Sequence, residues 1–175
     1  MSIIKTLSHK AFDELCLQQG LNDTNVELLQ EDSAFISIIG TEECRKYYLE
    51  DETGHWFKES HPNVLNLEFD DITEDIMWKG RQFKAMTKDH AKEVIEFIEN
   101  NRGKNFYVHC KAGISRSGAI SRFIYDFYNK DGVYSDVDFE KYNSYTRPNN
   151  HILILLKRCF YEKYGLFVDN SREDW

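Results

Sequence analysis

The chain has 175 residues, a hydrophobic fraction of 41% and only two prolines, which excludes a disordered tract or a Pro-rich linker and predicts a single folded domain over residues 1–175. Its formal net charge of −8 argues against stable binding of nucleic acid or of an anionic lipid surface. A local cluster of cations would still allow one phosphate group to bind.

The cysteine pattern indicates free thiols. The four cysteines are widely spaced, which fits neither a disulfide framework nor a clustered zinc site, so we expect no metal and no cofactor. Neither residues 1–5 nor any later stretch has the apolar length of a signal peptide or a membrane span. We therefore expect a cytoplasmic protein without a membrane partner. The sequence indicates no oligomeric state.

The first half of the chain alternates short apolar runs with segments of helical spacing. A helix is predicted over residues 8–17 with Ser8 as its N-cap, and Thr41 is expected to cap a short helix. The polar stretch 50–62 is predicted to be a loop. Strands are predicted at residues 3–7, 34–39 and 64–69.

The second half contains the longer helical patterns. An apolar stripe predicts a helix over residues 87–101, with an earlier start near Gly80 as an alternative. A short apolar strand is predicted at 105–109. Further helices are predicted at residues 118–129, 135–146 and 149–164.

This alternation predicts an α/β fold: a central, mostly parallel sheet of about four or five strands with helices on both faces. In such sheets, ligands bind beyond the carboxyl ends of the strands. The loop after the predicted strand 105–109 lies at such an end.

That loop, His-Cys-Lys-Ala-Gly-Ile-Ser-Arg-Ser-Gly at residues 109–118, has residues suited to holding a phosphate dianion. Backbone N–H groups at a helix N-terminus converge on an anion, and the helix dipole adds positive potential. Gly113 and Gly118 allow close backbone approach. The planar guanidinium of Arg116 can bind two phosphate oxygens at once.

Cys110 adds a nucleophile to this cradle. A helix N-terminus and nearby cations lower a thiol pKa and so favour the thiolate. A thiolate at this position can attack phosphorus and form a phosphocysteine intermediate. Ser117 can donate a hydrogen bond to the sulfur and help it leave in the second step.

The loop resembles the signature His-Cys-x-x-Gly-x-x-Arg-Ser/Thr of the protein tyrosine phosphatase superfamily, and its details are most similar to those of the dual-specificity phosphatases. The resemblance implies a protein tyrosine phosphatase-like fold, with Cys110, Arg116 and Ser117 catalytic and His109 organising the loop. It also implies that phosphate is bound by Lys111, Ala112, Gly113, Ile114, Ser115 and Arg116.

The same resemblance implies a general acid and a supporting asparagine. The family places an aspartate after an earlier strand, where it protonates the leaving oxygen. We assign this role to Asp70, with Asp71 as the alternative and Asp75 third. Asn149, in the stretch Arg147-Pro148-Asn149, matches the family's loop-supporting asparagine.

The leading functional hypothesis is hydrolysis of phosphotyrosine or phosphoserine/threonine in proteins. One alternative is a non-protein phosphoester, such as a phosphoinositide, a nucleotide or the 5′ phosphate of RNA; the acidity of the chain counts against lipid and RNA. A third is an inactive phosphate-binding module, against which the joint presence of Cys110, Arg116 and Ser117 argues. The expected partner is thus a phosphorylated protein or a small phosphoester.

Overall fold

The structure, a computed structural model, describes residues 1–48 and 54–166. In chain order its elements are β1 (Ile4–Ser8), α1 (His9–Gln18), α2 (Val26–Leu29), β2 (Ser33–Ile39), α3 (Glu42–Tyr47), β3 (Val64–Glu68), β4 (Ile76–Trp78), β5 (Arg81–Phe83), α4 (Lys88–Asn100), β6 (Asn105–Cys110), α5 (Arg116–Tyr128), α6 (Asp136–Asn143) and α7 (Asn150–Lys163).

A four-stranded sheet forms the centre of the fold. Its strands lie in the order β1-β6-β2-β3, and all three neighbouring pairs are parallel. The predicted α/β class with a parallel sheet is confirmed. Because the strands are parallel, their carboxyl ends meet at one edge, and β6 ends there at Cys110 between β1 and β2.

Alternate side chains of the sheet enter two separate cores. On β2, Ala34, Ile36 and Ile38 pack into the larger core with residues of α4, α5 and α7, while Phe35 packs with Phe12 of α1 in the smaller one. This period of two is what a sheet buried on both faces requires. Helices therefore cover both faces, as predicted.

The same alternation places neighbouring residues of β6 on opposite faces of the sheet. Val108 and Cys110 belong to the core covered by α5, whereas His109 stacks on Phe12 of α1 with ring centroids 4.1 Å apart. The side chains of Cys110 and His109 thus lie on opposite faces of the sheet.

The predicted helices are confirmed to within two residues at each end, which is the usual spread of helix boundaries, except that α6 ends three residues before the end of the predicted helix 135–146. Ser8 caps α1 by accepting from the N–H of Ala11, and Thr41 caps α3 by accepting from that of Cys44. Of the predicted loop 50–62, residues 50–53 lie outside the described residues, and 54–62 contain only an isolated bridge between His61 and Val64.

Two elements differ from the sequence prediction. The short helix α2 was not predicted, and the alternative early start of α4 near Gly80 is wrong, because a hairpin of β4 and β5 occupies that segment. Lys79 and Gly80 both have positive φ, 49° and 76°, which matches the tight turns of two-residue hairpins. Helix α4 begins at Lys88, where Thr87 and His90 form a capping box.

Across residues 1–48 and 54–166, no helix combines the length and the apolar character needed to cross a membrane.

A histidine clamped by two carboxylates joins α2 to the segment before β3. The Nε2 atom of His61 lies 2.9 Å from Asp23 Oδ1, and its Nδ1 atom lies 3.1 Å from Glu27 Oε1. Asp23 also accepts from the N–H groups of Lys58 and Glu59. The hydrogen bond that His61 donates to Asp23 is the main cause that raises the pKa of His61.

This clamp predicts a pH dependence of stability. The folded-state pKa of His61 is raised, so protonated His61 adds to the free energy of unfolding. This contribution is fully present below the unfolded-state pKa of about 6.5 and is lost as the pH rises through the folded-state pKa. We expect the free energy of unfolding of His61→Gln to fall furthest below that of wild type in mildly acidic buffer, and less in alkaline buffer. Urea unfolding of both proteins over this pH range measures the difference in free energy. A difference that does not change with pH would show that the contacts of His61 with Asp23 and Glu27 do not stabilise its protonated form.

Candidate active site

The carbonyl groups of the loop between β6 and α5 accept hydrogen bonds from other segments of the chain. The carbonyl oxygen of Lys111 accepts from the His9 N–H at 3.1 Å. That of Ile114 accepts from the Arg147 N–H at 3.1 Å, and that of Ser115 accepts from the Asn149 N–H at 3.2 Å. Segments before and after the loop in sequence therefore fix the direction in which its peptide groups point.

The amide groups of the loop are left for a ligand. Within the part of the chain that the structure describes, nothing accepts a hydrogen bond from the backbone N–H groups of residues 112–115. Successive unpaired N–H groups before a helix N-terminus form a concave anion-binding site. The arrangement suits a tetrahedral oxyanion.

Two glycines in this region are required by close contacts. Gly113 has φ +70°, and a Cβ atom there would lie 2.5 Å from the carbonyl carbon of Leu7. A Cβ atom at Gly118 would lie 2.8 Å from Cβ of Thr146. Gly113 thus lets the loop rest against the end of β1.

Gly113→Ala tests this close approach. We expect the affinity for inorganic phosphate to fall at least about tenfold, since displacing the loop from β1 costs more than about 1.4 kcal/mol. Titration calorimetry measures the change. Gly132→Ala is the matched control, because Gly132 also has positive φ (+63°) but has open space around its Cβ position. Equal affinities of the two variants would contradict the requirement for glycine at 113.

Cys110 and Ser117 lie together at the base of the loop. The cysteine side chain is buried, and its Sγ atom lies 3.0 Å from Ser117 Oγ. Ser117, in the first turn of α5, is fully buried. A hydroxyl in this position can donate to a sulfur anion.

Arg116 is a buried guanidinium with a donor left for a ligand. Its residue is 7% exposed, and Nη1 donates to the Phe69 carbonyl oxygen at 2.9 Å. The Nε–H is buried and has no hydrogen-bond partner among the described residues. A buried, unsatisfied charged donor is costly, and an anion bound in the loop would satisfy it.

The three candidate acids lie in different surroundings. Asp70 is buried, and its carboxylate accepts three hydrogen bonds at 2.8 Å, from the N–H and the hydroxyl of Thr41 and from the N–H of Lys84. Asp75 Oδ1 accepts from the N–H of Ala85 at 2.8 Å. Neither carboxylate contacts the loop between β6 and α5 through these bonds.

Asp71 is the carboxylate that the structure brings to the loop. It is exposed, and its Oδ1 atom accepts from Ser115 Oγ and from Asn149 Nδ2, both at 2.8 Å. Asn149 also caps α7 by accepting from the N–H of Ile152. Through its backbone and side chain, Asn149 links α7, the loop and Asp71.

His109 is enclosed on the opposite face of the sheet. Its Nε2 atom lies 2.7 Å from Ser37 Oγ, which in turn lies 2.6 Å from His55 Nδ1. Burial is the main cause that lowers the pKa of His109 well below its ordinary value, so the ring is neutral. Sequence reasoning missed Ser37 and His55, although a single polar residue inside an apolar strand run was a usable signal.

Over residues 1–48 and 54–166, the structure contains no group of three or more histidine, cysteine or acidic side chains placed to hold a metal ion. None of the four cysteines, all of which lie in the described residues, forms a disulfide bond.

Neither a family model nor a curated protein sequence matches this chain. Two similar solved structures are a human tyrosine phosphatase-like serine/threonine/tyrosine-interacting protein and PTPMT1 in complex with PI(5)P. The first is 18% identical, with 81% of this chain and 83% of that chain covered and a TM-score of 0.44. The second is 16% identical, with 93% of each chain covered and a TM-score of 0.46. Both likenesses are distant, and the geometry around Cys110 is the basis for assigning a function.

Proposed function

We propose that this protein is a cysteine-dependent phosphatase, which hydrolyses phosphomonoesters through a phosphocysteine intermediate at Cys110. The observation that carries the proposal is a run of hydrogen-bond donors without protein partners next to Cys110 in the chain. The N–H groups of residues 112–115 follow Cys110, and the buried Nε–H of Arg116 comes directly after them. Such donors bind the oxygens of a phosphoryl group and stabilise its transition state.

In the first step, the Cys110 thiolate attacks phosphorus. The S–P bond forms while the bond between phosphorus and the ester oxygen breaks. Arg116 and the loop amides hold the non-bridging oxygens, and Asp71 gives its proton to the leaving oxygen.

In the second step, a water molecule attacks the phosphocysteine, and Asp71, now ionised, takes a proton from it. The S–P bond breaks, and inorganic phosphate leaves. The hydroxyl of Ser117, 3.0 Å from the sulfur, stabilises the departing thiolate.

Asp71, the alternative in the sequence assignment, is a better general acid than Asp70 in this proposal. The Asp70 carboxylate holds Thr41 and Lys84 with three bonds, so rotating it toward a substrate would break the local structure. Asp71 is exposed and already hydrogen-bonded to Ser115 of the phosphate loop. A proton at Asp71 therefore lies close to the phosphoryl site.

We propose phosphotyrosine or phosphoserine/threonine in proteins as the substrate class, as in the dual-specificity phosphatases that the loop resembles. Non-protein phosphoesters, such as phosphoinositides and nucleotides, are the competing substrate class. Four cysteines without a disulfide bond fit a reducing compartment, which supports a cytoplasmic location. A panel of phosphopeptides, phosphoinositides and nucleotides, compared by kcat/KM, decides between the classes. A higher kcat/KM for phosphoinositides or for nucleotides than for phosphopeptides would overturn the proposal of a protein substrate.

The activity itself has a simple test. We expect the purified protein to hydrolyse an aryl phosphate in the presence of a metal chelator, because the proposed steps use only protein groups and water. Vanadate should inhibit competitively, since it fills the same cradle. Absence of hydrolysis by a folded protein that binds vanadate would indicate a phosphate-binding module instead.

A further inference from the structure

The hairpin of β4 and β5 lies at the same end of the central sheet as Cys110. It follows β3, whose carboxyl end is at the edge where the parallel strand β6 also ends. The N–H of Asp70 donates to the Lys84 carbonyl oxygen at 2.7 Å, and the N–H of Lys84 donates to Asp70 Oδ2 at 2.8 Å. The base of the hairpin is therefore fixed one residue away from Asp71, which accepts from Ser115 of the loop between β6 and α5.

Helix α3 supports one side of the hairpin. The rings of Tyr47 and Phe83 pack edge to face with centroids 5.7 Å apart, and Trp78 Nε1 donates to Tyr47 Oη at 3.2 Å. Arg81 Nη1 lies 3.5 Å from Glu43 Oε2. Because an isolated hairpin of three-residue strands is at best marginally stable, these contacts are what hold its orientation relative to the sheet.

The first strand of the hairpin exposes three consecutive apolar side chains. Ile76, Met77 and Trp78 are 41%, 68% and 52% exposed. A single exposed apolar side chain is ordinary, but neighbouring ones are typical of a surface that binds a partner. Methionine and tryptophan are also enriched in protein–protein interfaces.

The hairpin is basic, although the protein is acidic. Residues 76–84 include the basic side chains Lys79, Arg81 and Lys84 and no acidic side chain, whereas the whole chain has a net charge of −8. Arg81 pairs with Glu43, but neither lysine forms an ion pair with a residue in 1–48 or 54–166. Lys79 Nζ lies 5.7 Å from the ring centroid of Tyr47 and 5.8 Å from that of Trp78, which keeps the ammonium group beside the apolar side chains.

We propose that the hairpin is a docking surface for the segment of a phosphorylated protein that flanks its phosphorylated residue, and that it favours segments with acidic and large apolar side chains. The inference rests on the proposed phosphatase function and defines the substrate that the same site takes. The lysines complement acidic side chains, while Met77 and Trp78 offer apolar contacts. The net negative charge of the chain disfavours an anionic membrane as the occupant.

The dimensions of an extended peptide fit this arrangement. Such a peptide rises about 3.3 Å per residue, and a strand of three residues spans about 10 Å. A peptide whose phosphate is bound by the loop therefore reaches the hairpin within about three to five residues of the phosphorylated one.

Lys79→Glu tests the charge preference with two phosphotyrosine peptides. One peptide has glutamate and leucine on both sides of the phosphotyrosine, and the other has lysine in place of each glutamate. We expect this substitution to lower kcat/KM about tenfold for the glutamate peptide, through KM, and to raise it for the lysine peptide. Lys130→Glu is the matched control, because it makes the same charge change at an exposed lysine beyond the far end of α5.

Met77→Ser tests the apolar contact without changing a charge. We expect KM for the glutamate peptide to rise about three- to tenfold, with kcat for this peptide and both constants for an aryl phosphate near wild type. Leu28→Ser is the matched control, since Leu28 is 76% exposed on α2, at the amino end of the sheet. In Cys110→Ser, peptide binding should shift tryptophan emission to shorter wavelength, and adding Trp78→Phe should remove this shift.

The outcomes separate docking from catalysis. Without turnover the phosphatase proposal fails, but the affinities of both peptides for Cys110→Ser, with and without Lys79→Glu, still decide on docking. Equal effects of Lys79→Glu and Lys130→Glu, together with an unchanged peptide KM or affinity in Met77→Ser, would overturn the docking surface even in an active phosphatase. So would a Met77→Ser variant that loses only binding to anionic phospholipid vesicles, or only a dimer seen by sedimentation, because the occupant would then be a membrane or a second copy of the chain.

Discussion

Cys110→Ser is expected to reduce kcat for an aryl phosphate by at least about 10⁴-fold, since removing an essential nucleophile leaves only binding and electrostatic stabilisation. A serine hydroxyl is not ionised at neutral pH and cannot replace the thiolate. The affinity for inorganic phosphate should change little, because the loop amides and Arg116 that hold the anion remain. Steady-state kinetics and titration calorimetry on the same preparation measure the two quantities.

Cys159→Ser is the matched control for this substitution. Cys159 is also a buried free thiol, but it lies in α7 within the hydrophobic core. We expect this variant to lose some stability and to retain wild-type kcat. Comparable turnover in the Cys110 variant and the wild type would rule out the thiolate mechanism.

Asp71→Asn is expected to lower kcat by about 10²–10⁴-fold for substrates with poor leaving groups, which is the usual contribution of a general acid. The loss should be smaller for an aryl phosphate with an acidic phenol, because that leaving oxygen needs little help from a proton. The asparagine keeps a carbonyl oxygen for the bonds from Ser115 and Asn149, so the loop should stay in place. Rates for a series of phenols of different pKa measure the effect.

Asp70→Asn should behave differently. It replaces an acceptor of three hydrogen bonds, two of them buried, with an amide that also presents donors to Thr41 and Lys84. We expect a loss of about 1–3 kcal/mol in the free energy of unfolding, the cost of leaving a buried polar group unsatisfied. The dependence of kcat on the leaving group should match wild type. If Asp70→Asn instead shows the steep leaving-group dependence and Asp71→Asn does not, the acid is Asp70.

The placement of residues 109–118 between a strand and a helix was predictable from sequence because the pattern is local. The proposed phosphate site needs a cysteine, glycines and an arginine at fixed spacing between a strand and a helix, and all lie within this segment. Helix boundaries were similarly local, since Ser8 and Thr41 signal caps by their own side chains. The parallel sheet followed from the alternation of strands and helices.

The surroundings of Asp70 and Asp71 were not predictable in this way. The two residues are adjacent and chemically identical, and only tertiary contacts separate them. Thr41, 29 residues before Asp70, captures its carboxylate, whereas Ser115, 44 residues after Asp71, brings that side chain to the loop. Ser37 and His55 depend in the same way on the register between β2 and β6.

The hairpin of β4 and β5 could not be predicted from the hydrophobic pattern of the sequence. Its strands have three residues each, which is too short for a period of two to be recognised. Only the Lys79-Gly80 turn, with both residues at positive φ, marks it, and a lone Lys-Gly pair is a weak turn signal.

Trapping the covalent intermediate tests the central claim most directly. In Asp71→Asn, an aryl phosphate with a good leaving group should still phosphorylate the enzyme, while loss of the base slows attack by water. Acid quenching followed by peptide mass spectrometry should then find one added phosphoryl group on the peptide that contains Cys110. Continued turnover with no phosphoryl group on that peptide, or with the group on another residue, would contradict the account.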